Sequence, residues 1–101
     1  MTTNHVSLSG QIKRLKNMNS PAGIPHWIVT LEHKSQQYEA ELLRPVYLQI
    51  HVILSGKRYA QLAVNLQAGM EMNVEGFLNV QTGRNGQHRT VIHANKVELK
   101  T

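Results

Sequence analysis

From Val46 to Leu54 every even position holds valine, leucine or isoleucine, while the odd positions carry Tyr47, Gln49, His51 and Ile53. A period of two buries one face and leaves the other outside, and a helix would scatter the same residues around its circumference. The chain must therefore build a sheet. Val6, Leu8 and Ile12 alternate with Ser7, Gln11 and Lys13 in the same way, and Trp27, Val29 and Leu31 alternate with Ile28, Thr30 and Glu32 as far as about His33 or Lys34. Met72, Val74, Leu78 and Val80 give a fourth strand kinked at Gly76, and Val91 to Leu99 a fifth whose parity changes near Asn95.

The connections are marked by their breakers. Two prolines and a glycine make Ser20 to Pro25 a loop, and the polar run near Gln36-Gln37-Tyr38 predicts another. Pro45 cannot donate to a ladder, which predicts an edge or a bulge at the start of the third strand. Gly10 predicts a bend in the first. Between Gly56 and Gly69, Tyr59, Leu62, Ala63 and Leu66 share a face at helical spacing. Thr82-Gly83-Arg84-Asn85-Gly86 predicts a hairpin, because asparagine and glycine both accept positive φ. Five strands in this order, with at most one short helix between the third and fourth, match an all-β, five-stranded OB-fold Greek-key barrel.

A chain of 101 residues, 41% apolar and 17% charged, supports one folded domain over 1–101. It has no cysteine, which excludes disulfides, thiol nucleophiles and thiolate metal sites and fits a cytoplasmic address. The first residues lack a signal-peptide pattern, and no apolar stretch is long enough to span a membrane. All six acids are glutamate, so Asp-centred triads and Asp-ligated magnesium sites are excluded as well. Neither the serines nor the six histidines show a nucleophile or metal-ligand spacing, and Gly83 to Gly86 is not a P-loop. The expectation is a non-enzyme without cofactor or metal.

Eleven lysines and arginines give a net charge of +5, which favours a polyanionic partner. Single-strand binders combine cations along the phosphates with aromatic faces for the bases. Arg84 and Arg89 flank the last hairpin, and Lys13, Arg14, Lys16 and Lys34 add charge from other loops or strand ends. Tyr47 has the parity opposite to the buried face, so its ring points outward and becomes the stacking candidate. Trp27 shares parity with Val29 and Leu31 and is expected inside or at the end of the barrel. Phe77 fits either a subunit interface or the nucleic-acid face.

Several segments together resemble one family. Ser20-Pro21-Ala22-Gly23-Ile24-Pro25-His26, Leu31-Glu32-His33-Lys34, Ile53-Leu54-Ser55-Gly56, Val74-Glu75-Gly76-Phe77, Asn85-Gly86, Val91-Ile92-His93-Ala94 and Val97-Glu98-Leu99 follow one another in the order and spacing of the primosomal replication protein N (PriB) family. The resemblance implies a homodimeric OB-fold that binds single-stranded DNA during primosome assembly in replication restart. As partners it implies the primosomal helicase PriA, the loader-recruiting protein DnaT and the single-stranded DNA-binding protein. An aromatic, usually tryptophan, matches Tyr47 in the family pattern, whereas Leu42 and Thr82 depart from an aromatic and a lysine. Two other readings of the barrel stand beside this one: a protein-interaction adaptor, and an RNA binder that uses the 2′-hydroxyl.

Overall fold

The even-numbered side chains of the third strand do face the core. Val52 and Leu54 are fully buried, and Ile50 packs against them. The computed structural model describes residues 2–20 and 22–100, with Asn19 described by its backbone alone, so Pro21 of the first loop lies outside the described residues. The strands are β1 (Val6–Asn19), β2 (Pro25–Glu39), β3 (Leu42–Ser55), β4 (Glu71–Thr82) and β5 (His88–Lys100). A 3-10 turn at Lys57–Tyr59 runs into the short helix α1 (Ala60–Asn65) between β3 and β4. The sheet closes in the order β1-β2-β3-β5-β4, with β4 returning to β1. All pairings are antiparallel except β3 with β5, which meet in parallel over His51–Ile53 and Val91–His93. This is the OB-fold barrel.

Ile12, Val29, Leu31, Met72, Val74 and Ile92 complete the fully buried core with Val52 and Leu54, each contributing about 1.5–3 kcal/mol by leaving water. Tyr59, Ala63 and Leu66 bring the predicted helical face onto the same cluster. The Tyr59 hydroxyl donates to the Ala94 carbonyl at 3.2 Å, and Arg58 lies over the ring, 4.7 Å from its centroid, while donating to the Tyr59 hydroxyl and the Asn95 carbonyl.

Two bulges reset the parity. At Lys13 the register with β2 slips, so Ile12 pairs with Leu31 and Arg14 with Thr30. The extra residue leaves Lys13 and Arg14, neighbours in sequence, both exposed while Leu15 turns back to the core. The bulge thus lies at Lys13, while at Gly10, where β1 passes from β4 to β2, a Cβ would overlap the Glu32 carbonyl oxygen. Asn95 is the extra residue opposite Glu75 and Gly76, as the parity change predicts, and Val97 and Leu99 resume inward packing. At Gly76 a Cβ would overlap the His93 carbonyl oxygen, so the bulge closes only over a residue without one.

β2 does not stop at Lys34. It continues to Glu39 and pairs with β3 as far as Leu42, so Gln36-Gln37-Tyr38 is strand rather than loop and β3 begins three residues before Pro45. Every residue from Gln36 to Pro45 is exposed, so this arm projects beyond the core and has no buried face to impose alternation. Pro45 lies where the other edge of β3 carries no partner, which accommodates its missing N–H. The arm turns on Ala40 (φ 51°) and Glu41 (φ 65°), the two positive angles of a type I′ turn. The Asn85-Gly86 hairpin uses another geometry. Only Gly86 has positive φ (78°), its N–H donates to Gly83 O at 3.0 Å, and Gly83 N–H donates to Gln87 O at 2.8 Å. That is a type I turn followed by a left-handed glycine, with the Asn85 side chain accepting from Gln87 N–H. Leu78 and Val80 lie in the outer half of β4 and are exposed.

Candidate nucleic-acid interface

The outer wall of the barrel is set by register. Lys34 pairs with Tyr47, Glu32 with Gln49, Thr30 with His51 and Ile28 with Ile53 across β2 and β3. On the other side, Arg14 pairs with Thr30 and Lys16 with Ile28. The β4–β5 hairpin rises along the same wall. Arg89 lines a cleft of about 370 Å³ with Thr30, Gln49 and His51, and joins Arg84, Met18 and Ile28 around a second of about 350 Å³.

All seven residues singled out in the sequence, Lys13, Arg14, Lys16, Lys34, Tyr47, Arg84 and Arg89, are exposed. The first four lie on strand faces and the Lys13 bulge, not on loops. Lys13, Lys34 and Tyr47 gather around Glu32. Lys13 Nζ is 3.2 Å and Lys34 Nζ 3.7 Å from Glu32 Oε1, while the Tyr47 hydroxyl donates to Oε2 at 3.0 Å. Gln49 Nε2 donates to the Tyr47 hydroxyl at 3.1 Å and to Glu32 at 3.4 Å. Partial burial opposes ionisation of Glu32, but the hydrogen bonds from Tyr47, Lys13 and Gln49 and the Lys13 charge together outweigh it and hold its pKa below the ordinary carboxylate value. Lys34 Nζ also sits 5.8 Å from the centre of the Tyr47 ring.

Further along, no carboxylate lies within ion-pair distance of Arg14, Lys16, Arg84 or Arg89 among the described residues. These cations are therefore uncompensated. His51 lies between the Arg14 and Arg89 charges, and desolvation followed by repulsion from Arg89 and Arg14 lowers its pKa. Glu32, Gln49 and His51 are the members of this wall that sequence reasoning misses. The parity that Gln49 and His51 share with Tyr47 marks them in the sequence, whereas a lone acid among cations carries no such signal. Trp27 is buried, as its parity predicts. Phe77 is 38% exposed and stacks on His93, with ring centroids 5.1 Å apart and planes 14° from parallel. No group of three metal-ligating side chains occurs among the described residues, and no helix there is long and apolar enough to cross a membrane.

A closed five-stranded barrel with a basic outer wall on β1, β2 and β3, flanked by the β4–β5 hairpin, is an oligonucleotide-binding barrel in architecture. The profile described as "another single-strand binding protein family" matches residues 4–96. The replication restart protein PriB of Shewanella oneidensis is 60% identical over 101 residues, and that of Shewanella piezotolerans 59%, each alignment covering all of both chains. The chain belongs to the PriB family. Among solved structures, the PriB protein of Ralstonia solanacearum superposes with a TM-score of 0.80 at 23% identity, over 99% of this chain and 100% of that one. The single-stranded DNA-binding protein of Thermus aquaticus gives 0.81 at 20% identity, over 98% of this chain and 50% of that one. These two share the fold.

Proposed function

We propose that this protein binds single-stranded DNA along the outer wall of β1–β3 as a non-catalytic accessory of replication restart. Support for the role comes from family membership, and support for the surface comes from one arrangement. Four uncompensated cations, Arg14, Lys16, Arg84 and Arg89, share a wall with the exposed ring of Tyr47. Cations in series hold phosphates, and a ring at one end of the series offers a base a face, so binding is tolerant of sequence. Lys13 and Lys34 are a reserve, because each must exchange the Glu32 carboxylate for a phosphate.

The reading includes a cytoplasmic homodimer acting through one domain per chain, in which a second barrel lengthens a short groove and raises avidity. It also includes bridging of the primosomal helicase PriA and DnaT, and contact with the single-stranded DNA-binding protein. Anisotropy of a labelled oligonucleotide across a salt series tests the DNA surface. Arg84→Ala plus Arg89→Ala should weaken binding and flatten the plot of log affinity against log salt by about 0.7 for each phosphate that is no longer neutralised. An unchanged slope overturns the surface, and no binding by the unmodified protein overturns the reading.

A further inference from the structure

At the level of Ile28 the outer wall stops being ionic. Ile28 pairs with Ile53, Ile53 with His93 and His93 with Phe77, so one transverse row crosses β2, β3, β5 and β4. Ile53 is 6% exposed yet stands apart from the core cluster, because outer-wall neighbours cover it. Met18, Ile28, Ile53 and His93, with His26 and Gln81, line a cleft of about 310 Å³. Its floor is aliphatic, the His93 ring is held in place by its stack on Phe77, and the Gln81 amide makes no side-chain hydrogen bond among the described residues. Met18, Ile28 and Gln81 also line the neighbouring cleft of Arg84 and Arg89, so the apolar slot opens directly beside two phosphate-seeking cations.

We infer that this cleft is a nucleobase subsite: one unstacked base packs on Ile28, Ile53 and His93 with its polar edge toward Gln81, while Arg84 or Arg89 holds the adjoining phosphate. The chemistry fits a base in particular. A heteroaromatic ring needs apolar surface against its faces and a donor–acceptor group at its edge, and its backbone needs a cation one step away. The inference rests on the DNA-binding reading and adds to it a second base contact, separated from Tyr47 along the wall.

The test is photocrosslinking of the full chain to a thymine oligonucleotide carrying 5-iodouracil, with the modified residues located by mass spectrometry. Adducts on Met18 or His93, in addition to Tyr47, are expected. Gln81→Ala should cost about 3-fold in affinity and His93→Ala about 5-fold, both with the salt slope unchanged because the same phosphates stay neutralised. Gln81 is exposed, so its variant reads the base interaction free of any folding defect. Adducts on Tyr47 alone, or wild-type affinity in the Gln81 variant, overturn the subsite and leave the DNA-binding reading standing. The absence of any complex with the unmodified protein overturns both.

Discussion

The Tyr47 hydroxyl is tethered to Glu32 by a 3.0 Å hydrogen bond while 60% of the tyrosine stays exposed. A ring held this way has less rotamer freedom to lose when a base covers it. Tyr47→Ala should therefore weaken single-stranded DNA binding by about 5-fold or more, the range of one stacked base, and Tyr47→Phe by no more than about 3-fold. Equal losses in the two variants, measured by anisotropy, would show that the hydroxyl rather than the ring meets the DNA.

On the proposed surface, Glu32 would compete with phosphate for Lys13 and Lys34, with which it forms ion pairs. Glu32→Gln keeps an acceptor for the Tyr47 hydroxyl but removes the charge both lysines face. Affinity should rise, and the salt dependence should steepen by about 0.7 for each lysine that then reaches a phosphate. A weaker complex with a shallower slope would mean that the carboxylate orders the lysines for DNA rather than withholding them.

His51 should make both stability and binding at the proposed surface depend on pH, and the signs follow from its position. Desolvation and the Arg89 and Arg14 charges lower its folded pKa below the ordinary 6.5, so the folded state holds fewer protons than the unfolded one. Stability is full above 6.5 and falls as the pH drops through 6.5 toward the lowered value. A phosphate bound there would offset the two arginines and raise the His51 pKa again, so binding takes up a proton and affinity should increase as the pH falls through about 6.5. Isothermal titration in buffers of different ionisation enthalpy counts that proton. His51→Gln should abolish the uptake.

Ala40 and Glu41 both occupy positive φ at the tip of the β2–β3 arm, a conformation that costs ordinary residues about 1 kcal/mol each. Glu41→Gly should therefore stabilise the protein by about 0.5–1 kcal/mol, raising Tm by several degrees in thermal unfolding. The opposite is expected at the β4 bulge, where Gly76→Ala should destabilise by about 3 kcal/mol or more as the barrel separates from the His93 carbonyl.

Where a side chain has a core to answer to, the sequence is readable. Val46 to Leu54 announce their buried face, Asn95 announces its bulge through the parity change, and Tyr59, Ala63 and Leu66 announce the helix. Tyr47 is placed outside by the same logic. The β2–β3 arm is hidden for the converse reason: Gln36 to Pro45 pack on no core, and their turn is built from Ala40 and Glu41, residues that carry no turn signature. Lys13 and Arg14 look like successive members of an alternating strand, and only the bulge, invisible to periodicity, puts both outside. Glu32 emerges as the centre of an ionic cluster through cross-strand register, which joins residues 13, 32, 34 and 47 that no local pattern connects.

The barrel is shut by its shortest seam, three parallel pairs between His51–Ile53 and Val91–His93. That seam lies under His51, Arg89 and the Ile53–His93 floor, so an oligonucleotide on the proposed surface would bridge the two sheet margins that the chain itself fastens least. Ligand occupancy then acts as a clasp, and slowed deuterium uptake should be concentrated at the backbone amides of that closure.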